Sequence, residues 1–335
     1  MAGYRIGVTS ELRRPDGSLL FGDIGLHRLV DAGLEWELMP AVDGDVPPVE
    51  LVARYDAVLA VGHLHFPREL VAAAPRLRHV ARFGAGYDGI DLDGLAAEGV
   101  VVTNTPTAVR RPLAVAALTL LLAQAHRLAE NHRAAVEGRW ADRGRYRGAG
   151  VVGRTVGILG FGAVGAELAE LLLPLGVRVV ASNRSGTSPR AAELGVVMVP
   201  TERLAAESDY VVVTAALTPS SHHLVDEAFL AAMRPTAHLV NVARGGVVDQ
   251  VALTAALAEG RLAGAALDVL DPEPPAADDP LLTMPDVVVT PHALCWTADF
   301  TREVSADVVQ ALLDVAHGRR PEHVLNPGAW DRRRG

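Results

Sequence analysis

Short apolar blocks recur along the chain, separated by polar turns and by stretches whose apolar positions return at helical spacing. In the N-terminal third, YRIGVTS (4–10), LEWELMP (34–40), YDAVLAVG (55–62), LRHVARFG (77–84) and VVVTNTP (100–106) read as strands. Residues 26–32, RELVAAAP (68–75) and DLDGLAAEG (91–99) read as helices between them. Buried strands alternating with helices predict a parallel sheet covered on both faces.

Residues 112–127 form a long helical stretch, apolar nearly all round, which predicts burial. The Gly- and Arg-rich segment 137–150 reads as a loop. A second alternating series follows, with strand blocks at 155–160, 177–182, 196–200, 210–217, 237–243, 264–270 and 286–291, and helical stretches at 163–173, 202–208, 226–233 and 250–260. This is the rhythm of a complete dinucleotide-binding domain. An amphipathic stretch at 301–318 is expected to return to the first domain and make it discontinuous. The expected fold class is α/β, with two Rossmann-like domains on parallel sheets. A flavodoxin-like substrate domain spans 1–105 and 297–335, and a doubly wound dinucleotide-binding domain spans 106–296.

Half of the 335 residues are apolar, 21% are charged and the net charge is −9. That suits a soluble globular protein and offers no basic surface to nucleic acid. The basic tail DRRRG (331–335) reads as a frayed end. The single cysteine, Cys295, excludes an internal disulfide and a cysteine-rich zinc site, and reads as a small buried residue. No charged-then-apolar signal stretch opens the chain, and the longest apolar run, 112–125, is short for a bilayer. A cytoplasmic location without membrane attachment is expected. All 31 basic residues are arginine and none is lysine, which excludes a Schiff-base lysine, a P-loop lysine and reductases built on a Tyr–Lys pair.

Gly160-Phe161-Gly162-Ala163-Val164-Gly165 fits G-x-G-x-x-G between an apolar strand and a helix, the context its mechanism requires. Gly160 permits a tight turn, Gly162 lets a pyrophosphate approach the backbone, and Gly165 lets helix and strand pack closely. The helix start at Ala163 and Val164 supplies amide donors to phosphate. An acid usually closes the next strand and accepts bonds from the ribose 2′-hydroxyl. Here, 18 residues past Gly165, stands Asn183, followed by Arg184 and Ser185. Without the acid a 2′-phosphate is not repelled. Arg184 offers it a cation, and Ser182 and Ser185 offer hydroxyls. NADP(H) is therefore the expected preference. The alternative is that Arg184 stacks on adenine and NAD(H) binds as well.

In an open parallel sheet, ligands sit outside the carboxyl ends of the strands. There the sequence places Arg244, with Ala243 before it, then Asp268 and Glu273, and then His292. A cation, a carboxylate and an imidazole suit reduction of a 2-oxo acid. Arg244 holds the carboxylate and polarises the carbonyl, and His292 protonates the developing alkoxide. Glu273, bonded to the other ring nitrogen, orients the imidazole and favours its charged form.

In order along nearly the whole chain, RFGAGYDGID (82–91), VVVTNTP, GILGFGAVG, NVARGGVVD, ALDVLDPEP and TPHALC resemble signatures of the D-isomer-specific 2-hydroxyacid dehydrogenase family, among them the glyoxylate/hydroxypyruvate reductases. The resemblance implies a catalytic set of Arg244, Glu273 and His292, with Asp268 on the nicotinamide side. It implies that backbone at Ala85 and Gly86 binds the substrate carboxylate, and that the protein is a homodimer with an arm around 109–150. It also implies an active site in a cleft between domains, whose closure excludes water.

The chain departs from the family pattern at two places. Val115 stands where a glutamate is frequent, and TAAL (214–217) replaces a His-x-Pro strand end near the cofactor wall. Trp296 is a candidate wall of the substrate pocket, and His63 or His65 a candidate substrate contact. Two other readings stay open: a phosphite-type enzyme of the same fold, and a non-enzymatic NAD(H)-sensing protein of the corepressor kind.

Overall fold

In the computed structural model, which describes residues 3–62 and 64–334, the chain divides into two units. One comprises the chain up to Val109 together with the chain from Thr297 onward, and the other is Arg110–Trp296.

The first unit is a five-stranded parallel sheet of β1 (Arg5–Val8), β2 (Glu35–Leu38), β3 (Ala57–Ala60), β4 (His79–Arg82) and β5 (Val101–Thr103), in the order β2-β1-β3-β4-β5. This is the flavodoxin-type order. Central β3 is wholly buried and wholly apolar, as a strand covered on both faces must be. The helix Ala298–Ala316 packs here through Phe300, Val304, Val308 and Leu312. Its first turn is capped by the Thr297 hydroxyl, which accepts from the amide of Phe300 at 3.2 Å.

The segment after that helix closes the β5 edge. Thr103 bridges Val324, and the amide of Leu325 donates to Val102 O at 2.9 Å. Asn326 Oδ1 accepts from the Val102 amide while its Nδ2 donates to Val100 O, each at 2.9 Å. The expectation of a frayed tail is wrong for the residues described. Arg333 stacks 4.2 Å from the Trp330 ring centroid. Arg334 donates to Ala74 O, Glu98 O, Leu77 O and Val71 O at 2.7, 2.8, 3.0 and 3.1 Å. These carbonyls lie at or beyond the C-terminal ends of Arg68–Ala72 and Leu92–Ala97, where a cation complements the helix dipole.

The second unit has seven parallel strands: β6 (Thr155–Leu159), β7 (Arg178–Ser182), β8 (Val197–Met198), β9 (Tyr210–Val213), β10 (His238–Asn241), β11 (Gly264–Leu267) and β12 (Val287–Val289). Their order is β12-β11-β10-β9-β6-β7-β8, doubly wound, with the chain reversing direction across the sheet between β6 and β9.

The long helix of this region runs Pro106–Ala125, six residues earlier than its apolar pattern indicates. Pro106 takes the first helical position, where no amide is needed, and Pro112, six residues on, lies inside the helix, where it gives up one backbone hydrogen bond. At twenty residues it is long and apolar enough to cross a membrane by length and composition, so the shortness expected from the sequence does not hold. More than half of its apolar window is buried in the fold, where Ala114, Ala117, Leu120 and Leu121 enter the core. Helices Val49–Val52, Leu128–Val136 and Pro189–Leu194 join those expected from the sequence, and a 3-10 turn, Trp140–Gly144, lies in the predicted loop.

Candidate functional site

The cradle forms at the carboxyl end of β6. Gly160 has φ +99°, and a Cβ there would meet the Ala215 backbone at 2.3 Å. A Cβ on Gly165 would press on Ile158 of β6 at 3.0 Å, so its absence sets how closely the helix Ala163–Leu172 approaches the strand. Gly162 has only the Gly160 carbonyl near it, at 4.0 Å, and the space before it lies open at the helix N-terminus with Ala163 exposed and Val164 half-buried. An anion fits that space.

At the end of β7, Asn183 is tied into its own turn. Its Nδ2 donates to Thr187 O at 3.0 Å and Phe161 O at 3.3 Å, and its Oδ1 accepts from Ser185 Oγ at 3.1 Å. Arg184 and Ser185 are exposed. The Ser182 hydroxyl, expected to face a ligand, instead lies buried against Thr201 Oγ1 at 3.0 Å, because its place on β7 turns it into the sheet.

The end of β10 makes a turn shaped by buried Asn241. Its Oδ1 accepts from the Ala243 amide at 3.0 Å, and its Nδ2 donates to Arg244 O at 2.9 Å. Arg244 is half-buried, with Nη1 on Ala243 O at 2.7 Å. A Cβ on Gly245 would lie 2.0 Å from Leu270 O, so glycine alone lets the Arg244 turn seat against the loop after β11.

That loop carries Glu273. Its Oε2 lies 2.8 Å from His292 Nδ1, and its Oε1 accepts from the Leu270 amide at 3.0 Å. His292 adopts φ 51°, a left-handed conformation that costs a side-chain-bearing residue about 1–2 kcal/mol. Asp268 holds it there. The Asp268 carbonyl accepts from the His292 amide at 2.8 Å, and its Oδ1 accepts from Thr290 Oγ1 and the amides of Ala293 and Leu294 at 2.6, 3.2 and 3.3 Å. Asp268 is almost wholly buried, so it shapes the histidine turn from beneath. Burial and the Asp268 carboxylate push the neighbouring Cys295 thiol up to about 12, which leaves it protonated and not nucleophilic. Trp296 is 41% exposed.

The unit thus brings Arg244, Glu273 and His292 together on adjacent strand ends, with Asn241 and Thr290 as supports that sequence reasoning missed. Polar residues ending apolar strands were the available signal for both. The end of β7 lies three strand spacings from β10, about 14 Å at about 4.8 Å each, a span that suits an extended dinucleotide.

In the other unit the loop after β4 carries Ala85 and Gly86, both half-buried. Three side chains fix it. Thr105 Oγ1 accepts from the Gly84 amide at 3.0 Å, Asn104 Nδ2 donates to Ala85 O at 2.8 Å, and Arg82 Nε donates to Gly86 O at 3.0 Å. None of these supports was evident from the sequence. His65 is held through its amide to Asp45 O at 2.6 Å, and His63 lies outside the described residues.

A family model for the D-isomer specific 2-hydroxyacid dehydrogenase NAD-binding domain matches residues 118–293. A glyoxylate reductase of Korarchaeum cryptofilum is 38% identical over 281 residues, 83% of this chain and 85% of its own. An NADPH-dependent glyoxylate/hydroxypyruvate reductase of Sinorhizobium meliloti, solved with NADP and malonate, is similar with a TM-score of 0.84 and 30% identity, covering 99% of this chain and 98% of that one. An NAD-dependent formate dehydrogenase of Staphylococcus aureus, solved with NAD, is similar with a TM-score of 0.83 and 26% identity, covering 96% and 98%.

Proposed function

The chain belongs to the D-isomer-specific 2-hydroxyacid dehydrogenase family, and from that premise we propose that it reduces a small 2-oxo acid to the D-2-hydroxy acid, with NADPH preferred and NADH the alternative. The observation that carries this reading is the 2.8 Å contact between Glu273 and His292 beside the Arg244 turn. The bound nicotinamide supplies hydride to C2 of the substrate. Arg244 holds the substrate carboxylate and polarises the carbonyl. His292 presents Nε2–H to the carbonyl oxygen and gives up that proton as the alkoxide forms. Glu273 accepts the hydrogen bond from Nδ1–H, which stays on the ring, and stabilises the imidazolium state that donates from Nε2. The Ala85–Gly86 backbone receives the carboxylate.

Arg184 reads the 2′-phosphate in this proposal, supported by its exposure at the end of β7 and by the absence of an acid there. The protein acts in the cytoplasm as a homodimer. Support for the second copy comes from Leu128, Val136 and Trp140, exposed by 60, 73 and 68% along one arm.

The test follows NADPH and NADH oxidation with glyoxylate and hydroxypyruvate in the wild type and in His292→Ala. Turnover by the wild type and a kcat lowered about 10²-fold in the variant, with unchanged cofactor Kd, are expected. Near-normal turnover of the variant removes His292 from the chemistry. NAD(P)+ reduction by phosphite, with 2-oxo acids inert, assigns the site to another oxyanion.

A further inference from the structure

Arg110 and Arg111 stand side by side near the start of the helix Pro106–Ala125, and they are held differently. Arg111 Nη1 pairs with Glu167 Oε1 at 2.7 Å. Arg110 is half-buried, and its Nε, fully buried, has no hydrogen-bond partner among the described residues. No carboxylate of the described residues forms an ion pair with it either. A guanidinium stays charged at any working pH, so a sheltered one without an anion is costly.

The helix fixes where this cation lies. Arg110, Ala114, Ala117 and Leu121 recur at helical spacing on one face, and the last three are buried in the core that holds Ile158 of β6 and Phe161 of the glycine turn. Toward the other end, Gln124 Nε2 donates to Ala265 O at 2.6 Å and Gln124 Oε1 lies 3.1 Å from His238 Nδ1, at the amino ends of β11 and β10. The helix therefore runs against the strands. From Gln124 back to Arg110 it rises about 21 Å, whereas the short strand β10 spans about 13 Å. Arg110 thus stands beyond the carboxyl edge of this sheet. The Arg111–Glu167 pair ties that end of the helix beside the helix Ala163–Leu172, whose start opens the cradle.

Three anionic groups meet on this edge in the reaction proposed above. The substrate carboxylate has Arg244, and the 2′-phosphate has Arg184. The cofactor diphosphate has backbone amides alone. Resting on that reading, we propose that Arg110 is the cation of the diphosphate subsite, donating charge-assisted hydrogen bonds to phosphate oxygens. Arg110 then supplies affinity common to both cofactors, whereas Arg184 separates them.

The experiment titrates the full chain with NADPH, NADH and ADP-ribose, which keeps the diphosphate and lacks the nicotinamide. In Arg110→Met each Kd is expected to rise about tenfold or more, with the NADPH-to-NADH ratio unchanged. Arg110→Lys restores part of the loss. Without cofactor the melting temperature of Arg110→Met is expected to stay level or rise, because the cation it removes has no anion there. Unchanged dissociation constants overturn the proposal, and a raised KM for the 2-oxo acid in their place moves Arg110 to the substrate. A lowered melting temperature of the cofactor-free variant assigns Arg110 to packing and overturns it as well. A wild type that binds none of the three overturns the cofactor reading, and the role of Arg110 with it.

Discussion

Glu273 grips two partners at once: its Oε2 meets His292 Nδ1 at 2.8 Å, and its Oε1 takes the Leu270 amide at 3.0 Å. The second bond fixes the carboxylate plane, so the first fixes the imidazole tautomer and leaves Nε2 to carry the exchangeable proton. Glu273→Gln keeps the shape and removes the charge. Its kcat is expected to fall about 10- to 100-fold with cofactor Kd unchanged. Steady-state kinetics and a cofactor titration check this. A variant with wild-type kcat would show that orientation alone, without the charge, suffices.

Arg184→Ala is expected to weaken NADPH binding at least tenfold, about 1.4 kcal/mol, and to leave NADH nearly unchanged. Fluorescence titration with each cofactor separates the two readings of this side chain. Equal losses assign Arg184 to stacking on the base.

Two buried histidines make stability pH-dependent. Burial pulls His79 down to about 3, with Nε2 on Thr103 Oγ1 at 2.8 Å and Nδ1 without a hydrogen-bond partner. Burial, aided by Arg127, pulls His238 down to about 4. Both are neutral when folded and titrate near 6.5 when unfolded. Their contribution is full above pH 6.5 and is lost as pH falls, until about pH 4 for His238 and about pH 3 for His79. Each steepens the loss by up to about 1.4 kcal/mol per pH unit. Urea midpoints at pH 7 and pH 5 in wild type and His79→Leu check this. The variant is expected to show the shallower dependence, and an equal slope would exclude His79.

Arg334→Ala removes a cation that closes two helix ends at once. A loss on the order of 2 kcal/mol is expected, since hydrogen bonds from a charged donor contribute about 1.5–3 kcal/mol each and water recovers part of them. Thermal unfolding is the check. An unchanged melting temperature would mean that water caps those carbonyls equally well.

The strands of both sheets were legible in the sequence because central parallel strands such as AVLA in β3 are buried on both faces and written as apolar runs. The cradle was legible because φ +99° at Gly160 and the close approach at Gly165 each demand glycine. The turn of Arg334 onto helix ends far away in sequence was not, since no local pattern records a long-range cap. The inward face of Ser182 was misjudged because a strand-end hydroxyl reads alike on either side of the sheet. The helix Leu128–Val136 has a mixed polar face and follows a left-handed Arg127 at φ 49°, so its start carries no usual cap.

The strap from Val324 to Asn326 sets an order of events during synthesis. The first unit takes strands from the start of the chain, but the β5 edge stays bare until residues near the other terminus leave the ribosome. Arg110–Trp296 forms a sheet entirely from its own sequence and is complete by then. The β5 edge is therefore covered only by a segment that follows the whole of Arg110–Trp296 in the chain.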